Sequence, residues 1–163
     1  MSSIPKVLKD FRVYINGMDG GFNAKSIQLP IIDERIEAMS MGSFKINVSL
    51  GLNPLTSLIT FYGLDALVLA SAGALNNLSG NLITFRGYQE GVAGDIDEIM
   101  VLMRGRVVQV AQNQINKGSS ADISIQFNIL TYSLLINNIP LYVIEPISNT
   151  YLIAGINQIS KSK

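Results

Sequence analysis

The chain contains no cysteine and no histidine. The first absence excludes disulfides and thiolate chemistry, the second removes the usual general base near neutral pH, and together they exclude most zinc sites. Acid–base work is left to carboxylates, lysines and tyrosines. The seven Asp and five Glu are scattered along the chain, with no pair in a recognisable acid/base setting. Asp95, Asp97 and Glu98 in GVAGDIDE hint at a calcium loop, but its full spacing and closing glutamate are missing, and a solvated turn is the simpler reading. No catalytic residue, no metal site and no cofactor is expected, so the chain is read as a non-enzyme.

Charge is also scarce. Charged residues make up 15% of the 163, while hydrophobic residues make up 48%. An average soluble protein carries roughly 25% charge, so much of this surface must be hidden by a partner or by further copies of the chain. Basic and acidic residues balance at 12 each, which leaves no basic footprint for gripping a nucleic acid backbone. No apolar run reaches the roughly 18 residues of a membrane span, and MSSIPKVLKDF lacks the apolar centre of a signal peptide. The expectation is a chain that is cytosolic when made, without a membrane anchor, folding as one domain over residues 1–163.

What is present is strand pattern. In SFKINVSLG, Phe44, Ile46, Val48 and Leu50 alternate with Lys45, Asn47 and Ser49. In SADISIQFNIL, Ala121, Ile123, Ile125, Phe127 and Ile129 alternate with Asp122, Ser124, Gln126 and Asn128. A period of two predicts sheets with one face in a core and the other wetter. Further strands are predicted at 11–16, 22–29, 55–62, 81–89, 98–110 and 139–147, with a tight hairpin at Gly17–Gly21 between the first two. LDALVLASAGAL, after Gly63, reads as one helix that is apolar nearly all round. Residues 32–42, dense in charge, and 111–120, polar, read as loops. The sum is a mainly antiparallel β-domain with one helix, a small barrel or a sandwich.

VLMRGRVVQV places Arg104 and Arg106 on one face of a largely apolar strand. Either both guanidiniums point into a contact zone that supplies their partners, or both snorkel to solvent from a strand end. Phosphate binding would require a glycine-rich loop before a helix, which the chain lacks. Gly105 between the arginines predicts a bulge or the close approach of another backbone.

Taken in order, FRVYINGMDGGFNAKSIQLP, EAMSMGS, INVSLGLNPL, FYGLDA, FRGYQ, VLMRGR, FNILTYSLLINNIPLYVIEPIS and YLIAGIN run over most of the chain. This series resembles the major tail tube proteins of contractile-tailed bacteriophages and of R-type phage-tail-like bacteriocins. The resemblance implies two packed antiparallel sheets with a flanking helix, in hexameric rings stacked as a hollow tube. The inner sheets would join across subunits into one closed barrel, which removes exposed edges. It implies the tail of a virion or phage-like particle as location, and other copies, a sheath protein, tape-measure and baseplate proteins as partners. DNA would pass through the lumen in a true phage.

By the same resemblance, Glu37, Met39, Ser40, Met41, Gly42 and Ser43 belong to an extended loop that contacts the adjacent ring. Lys45, Asn47, Ser49, Asp122, Ser124, Gln126 and Asn128 are candidates to line the lumen. Arg104 and Arg106 are placed at a subunit contact, as are Leu64, Leu67 and Val68 on one face of the helix. Two alternatives stay open: the inner tube of a type VI-like secretion or injection system carrying effectors, and a small-molecule-binding β-barrel with an apolar cavity inside one monomer.

Overall fold

The computed structural model describes residues 5–15, 24–63, 81–119 and 121–158. The helix expected after Gly63, with Leu64, Leu67 and Val68, lies outside these residues, as does the Gly17–Gly21 turn. Among the described residues every element is a strand: β1 (Lys6–Ile15), β2 (Ala24–Gln28), β3 (Glu34–Met41), β4 (Phe44–Leu52), β5 (Leu55–Phe61), β6 (Asn81–Gly91), β7 (Ile96–Gln112), β8 (Ile123–Ile136), β9 (Ile139–Glu145), β10 (Thr150–Ile153) and β11 (Ile156–Asn157).

Nine of them form one antiparallel sheet in the order β1-β6-β7-β8-β9-β10-β11, with β5 and then β2 branching from β8. The branch exists because β8 is long. One of its edges carries β7 throughout, while the other carries β5 over 123–129 and β9 over 132–136. β1 pairs with β6 and β2 with β5, so the first two strands form no ladder with each other among the described residues, contrary to the hairpin expected from the sequence. They belong to different wings of the sheet, which do not close into a barrel within one chain.

Both wings contribute to one core. Val13 and Ile15 of β1, Ile59 and Phe61 of β5, Ile83 and Phe85 of β6, Val101 and Met103 of β7, and Ile123, Ile125 and Phe127 of β8 are all buried in one cluster. At roughly 1.5–3 kcal/mol per buried side chain of this size, that cluster carries the fold.

Two irregularities shape β7 and β8. Opposite Arg104 and Gly105 stand Thr131 and Ile129, so Leu130 is an extra residue. The buried positions of β8 consequently change parity, from Ile129 to Tyr132. The second shift leaves Val108 extra in β7. At the first, the backbones are so close that a Cβ on Gly105 would stand 2.5 Å from the Asn128 carbonyl oxygen. The close approach expected at this glycine is present.

β3 and β4 stand apart as a separate two-stranded sheet. The segment expected as a loop over 32–42 is therefore mostly strand. The connection is two residues, Gly42 and Ser43, with Gly42 at φ +61°, the left-handed conformation that glycine supplies cheaply in a hairpin turn.

Candidate functional site

The β3–β4 hairpin is one-sided. Cross-strand partners share a face, and the register pairs Met41 with Phe44, Met39 with Ile46, Glu37 with Val48, and on the opposite face Ser40 with Lys45, Ala38 with Asn47 and Ile36 with Ser49. One face is thus Met39, Met41, Phe44, Ile46 and Val48, continued by Leu50, with Glu37 the one charge in the three pairs of that face. None of it is buried by the chain itself: Phe44 is 77% exposed, Met41 62%, Met39 53% and Leu50 50%. The apolar row expected to enter a core therefore does not belong to the core cluster of the described residues. Among the described residues both outer edges of the hairpin also lack a strand partner.

The residues expected to line a lumen fall into two groups. Lys45, Asn47 and Ser49 occupy the polar face of the hairpin. Ser124, Gln126 and Asn128 form a row on the outward face of β8, beside Thr60, Leu58 and Thr56 of β5. The Ser124 hydroxyl lies 3.2 Å from that of Thr60 and accepts from the Asn113 amide at 3.3 Å. Asp122, at the head of this row, accepts from the Lys25 ammonium at 2.9 Å, and that bond raises the lysine pKa above its ordinary value. The charge on this wall is therefore paired. The two groups belong to different sheets and make no ladder with each other.

The residues expected in a ring-contacting loop are instead the distal end of the hairpin: Glu37, Met39, Ser40 and Met41 on β3, and Gly42 and Ser43 in its turn. All six are exposed.

Arg104 and Arg106 point outward from the middle of β7, both exposed, while Val101, Met103, Gly105 and Val107 point into the core. Their mid-strand position rules out snorkelling from a strand end. Arg104 stands between Leu82 on β6 and Thr131 on β8. It lines an open groove of about 440 Å³ with Leu82, Leu102, Thr131, Glu145 and Ile147. It makes no ion pair among the described residues.

Sequence reading missed a polar tie at one end of the body. The Lys6 ammonium binds Asp95 at 2.9 Å and also Asp97, whose carboxylate accepts from the Asn137 amide at 2.9 Å. Asn137 and Asn138 form the β8–β9 turn with φ of 51° and 63°, and the Asn-Asn pair in LLINNIPLY was the available signal. The carboxylates once considered for calcium thus hold a lysine and a turn. Among the described residues no cluster of acidic side chains is arranged to hold a metal ion.

The phage tail tube protein FII family model matches residues 5–163. No curated protein matches the chain. Among solved structures, the fold is similar to a chain of the PVC sheath–tube complex, an extracellular contractile injection system in its extended state, with TM-score 0.62 and 11% identity over 82% of this chain and 93% of that one. It is also similar to a chain of the six-fold symmetrised baseplate of the anti-feeding prophage, with TM-score 0.55 and 11% identity over 82% of this chain and 97% of the other. With a family match that spans all but the first four residues and a fold shared with these assemblies, the chain belongs to the phage tail tube protein FII family and is a structural protein of the tail tube.

Proposed function

We propose that six copies of this chain close into a ring, and that rings stack into the hollow inner tube of a contractile tail enclosed by a sheath and seated on a baseplate. The observation that carries this reading is the uncovered apolar face of the β3–β4 hairpin. Each large side chain on it gains roughly 1.5–3 kcal/mol on full burial, and a soluble chain leaves such a row exposed only where something else covers it. Another copy is the economical cover, since one contact repeated around a rotation axis closes a ring and satisfies every subunit.

In this assembly the distal end of the hairpin meets the adjacent ring. The polar rows of β4 and β8 line the bore, and the hairpin edges pair with strands of neighbouring subunits. A wall of hydroxyls and amides, with Asp122 neutralised by Lys25, is wet without holding a polymer that slides along it. In a phage that polymer is DNA, displaced past a tape-measure protein. The likeness to a chain of an extracellular contractile injection system supports a second reading, in which the same tube carries protein effectors.

Negative-stain electron microscopy with light scattering over a concentration series tests the proposal. Six-fold rings or hollow tubes are expected. A monodisperse monomer at every concentration, with and without sheath protein, would overturn it.

A further inference from the structure

Glu37 is out of place. It lies on the apolar face of the hairpin, opposite Val48 and two residues from Met39. Whatever covers that face takes the carboxylate out of water, and an unpaired buried carboxylate costs several kcal/mol. Arg35, the nearest cation along β3, makes no ion pair with it. The covering surface must therefore bring a cation set among apolar groups.

The described cations narrow the choice. Lys6, Lys9, Lys25 and Arg86 each hold a carboxylate of the body. Arg12 and Arg106 are engaged within their own chain. Arg35 and Lys45 belong to the hairpin itself, and Lys117 sits in the polar turn beyond β7. Arg104 remains, and its setting mirrors that of Glu37. It is the one cation lining its groove and makes no ion pair among the described residues, flanked there by Leu82, Leu102 and Ile147. Glu145, across that groove, accepts the Ser148 hydroxyl at 3.1 Å rather than the guanidinium.

From this complementarity we infer that the hairpin of one copy lies in the Arg104 groove of the next, with Glu37 paired to Arg104 and the apolar side chains around them excluding water. The inference rests on the tube reading above and names the contact that sets the register between subunits. It also accounts for an arginine in an apolar strand: assembly supplies the partner.

The test compares wild type with Glu37→Met, Arg104→Met and the double substitution, and in parallel with Glu37→Arg, Arg104→Glu and their double. Tube mass is read by sedimentation and electron microscopy, and the monomer fold by circular dichroism. Both residues are exposed in the monomer, so every variant is expected to fold. Each single change should lower the sedimenting fraction by at least about tenfold, because it strands the opposite charge at a buried contact, and at least one of the doubles should recover most of it. Singles that assemble normally, or doubles that are both no better than the singles, overturn the pairing while leaving the tube reading intact. Wild type that forms no tubes overturns both.

Discussion

Strands β4 and β8 both alternate apolar and polar residues, yet Ile125 and Phe127 of β8 are 0% and 1% exposed while Phe44 and Ile46 of β4 are 77% and 43% exposed. The physical difference lies in their neighbours. β8 is paired on both edges, and its inward row is buried in one cluster with those of β1, β5, β6 and β7. Among the described residues β4 is paired only with β3, and a two-stranded sheet buries little by itself. Alternation therefore establishes that a strand has a dry face, and leaves open which chain dries it. On the assembly proposed above the two answers divide the labour: β8 holds the subunit together, and β4 is left for the next one to cover.

That division is broken most severely by matched substitutions. Phe127→Ala should cost the monomer about 3–5 kcal/mol in urea unfolding, since a large side chain is removed from a site with no solvent to refill it. Phe44→Ser should change monomer stability by no more than about 0.5 kcal/mol, because the ring is already in water. Its effect should appear only in assembly, as loss of sedimenting tubes. If Phe44→Ser unfolds the monomer, or leaves tubes intact, the hairpin face is not an interface and the comparison with β8 collapses.

A smaller effect is expected at Gly105, where the body's own geometry is tightest. A methyl group there would stand 2.5 Å from the Asn128 carbonyl oxygen, so Gly105→Ala must push β7 and β8 apart at the bulge. A cost of roughly 1–3 kcal/mol in unfolding follows from overpacking of this kind. Because Gly105 adjoins Arg104 and stands at this bulge, a shift of β7 there displaces Arg104, and assembly should weaken more than stability alone accounts for. Gly42→Ala offers the contrast. Its Cβ would meet open space, and the only penalty is the φ of +61° in the hairpin turn.

How much of this was legible in the residues follows the same line. The strands of the body could be read because their partners are in the chain: LTSLITF, NLITFRGYQ and the long run around VLMRGR all appear as strands close to the expected limits. β3 was read as a loop because Asp33, Glu34, Arg35 and Glu37 obscure its alternation, although Gly42-Ser43 before Phe44 is a two-residue turn signal of the glycine-first kind. The short β10 and β11 depend on β9 as a template and carry little pattern of their own. Arg104 and Arg106 could be singled out, and Gly105 with them, but not the groove, since Leu82, Glu145 and Ile147 come from strands and turns far away in sequence.

The smallest expected effect concerns the polar tie, which belongs to the body and not to the hairpin. Hydrogen bonds from Lys6 hold the Asp95 and Asp97 carboxyls below their ordinary value of 3.8, with Asn137 assisting at Asp97, and the same bonds raise Lys6 above 10.5. The signs follow from linkage. Depressed carboxyl pKa values contribute stability that is complete above the unfolded value and is lost as pH falls through the folded one; a raised lysine contributes below its unfolded value and loses that contribution as pH rises through the folded one. The tie should therefore act across the neutral range and fail below about pH 4 and above about pH 10. Lys6 and Asp95 are exposed and Asp97 is half-buried, so the effect is modest: Lys6→Met should lower the monomer melting temperature by no more than a few degrees at pH 7. As the pH falls below 3.8 the wild type should progressively lose that advantage. Hairpin variants such as Phe44→Ser should keep the wild-type pH dependence of melting, because β3 and β4 hold none of the tie's charges. A melting temperature that moves with pH equally in wild type and Lys6→Met would remove the tie from the account, and would place the acid sensitivity among the other carboxylates of the body.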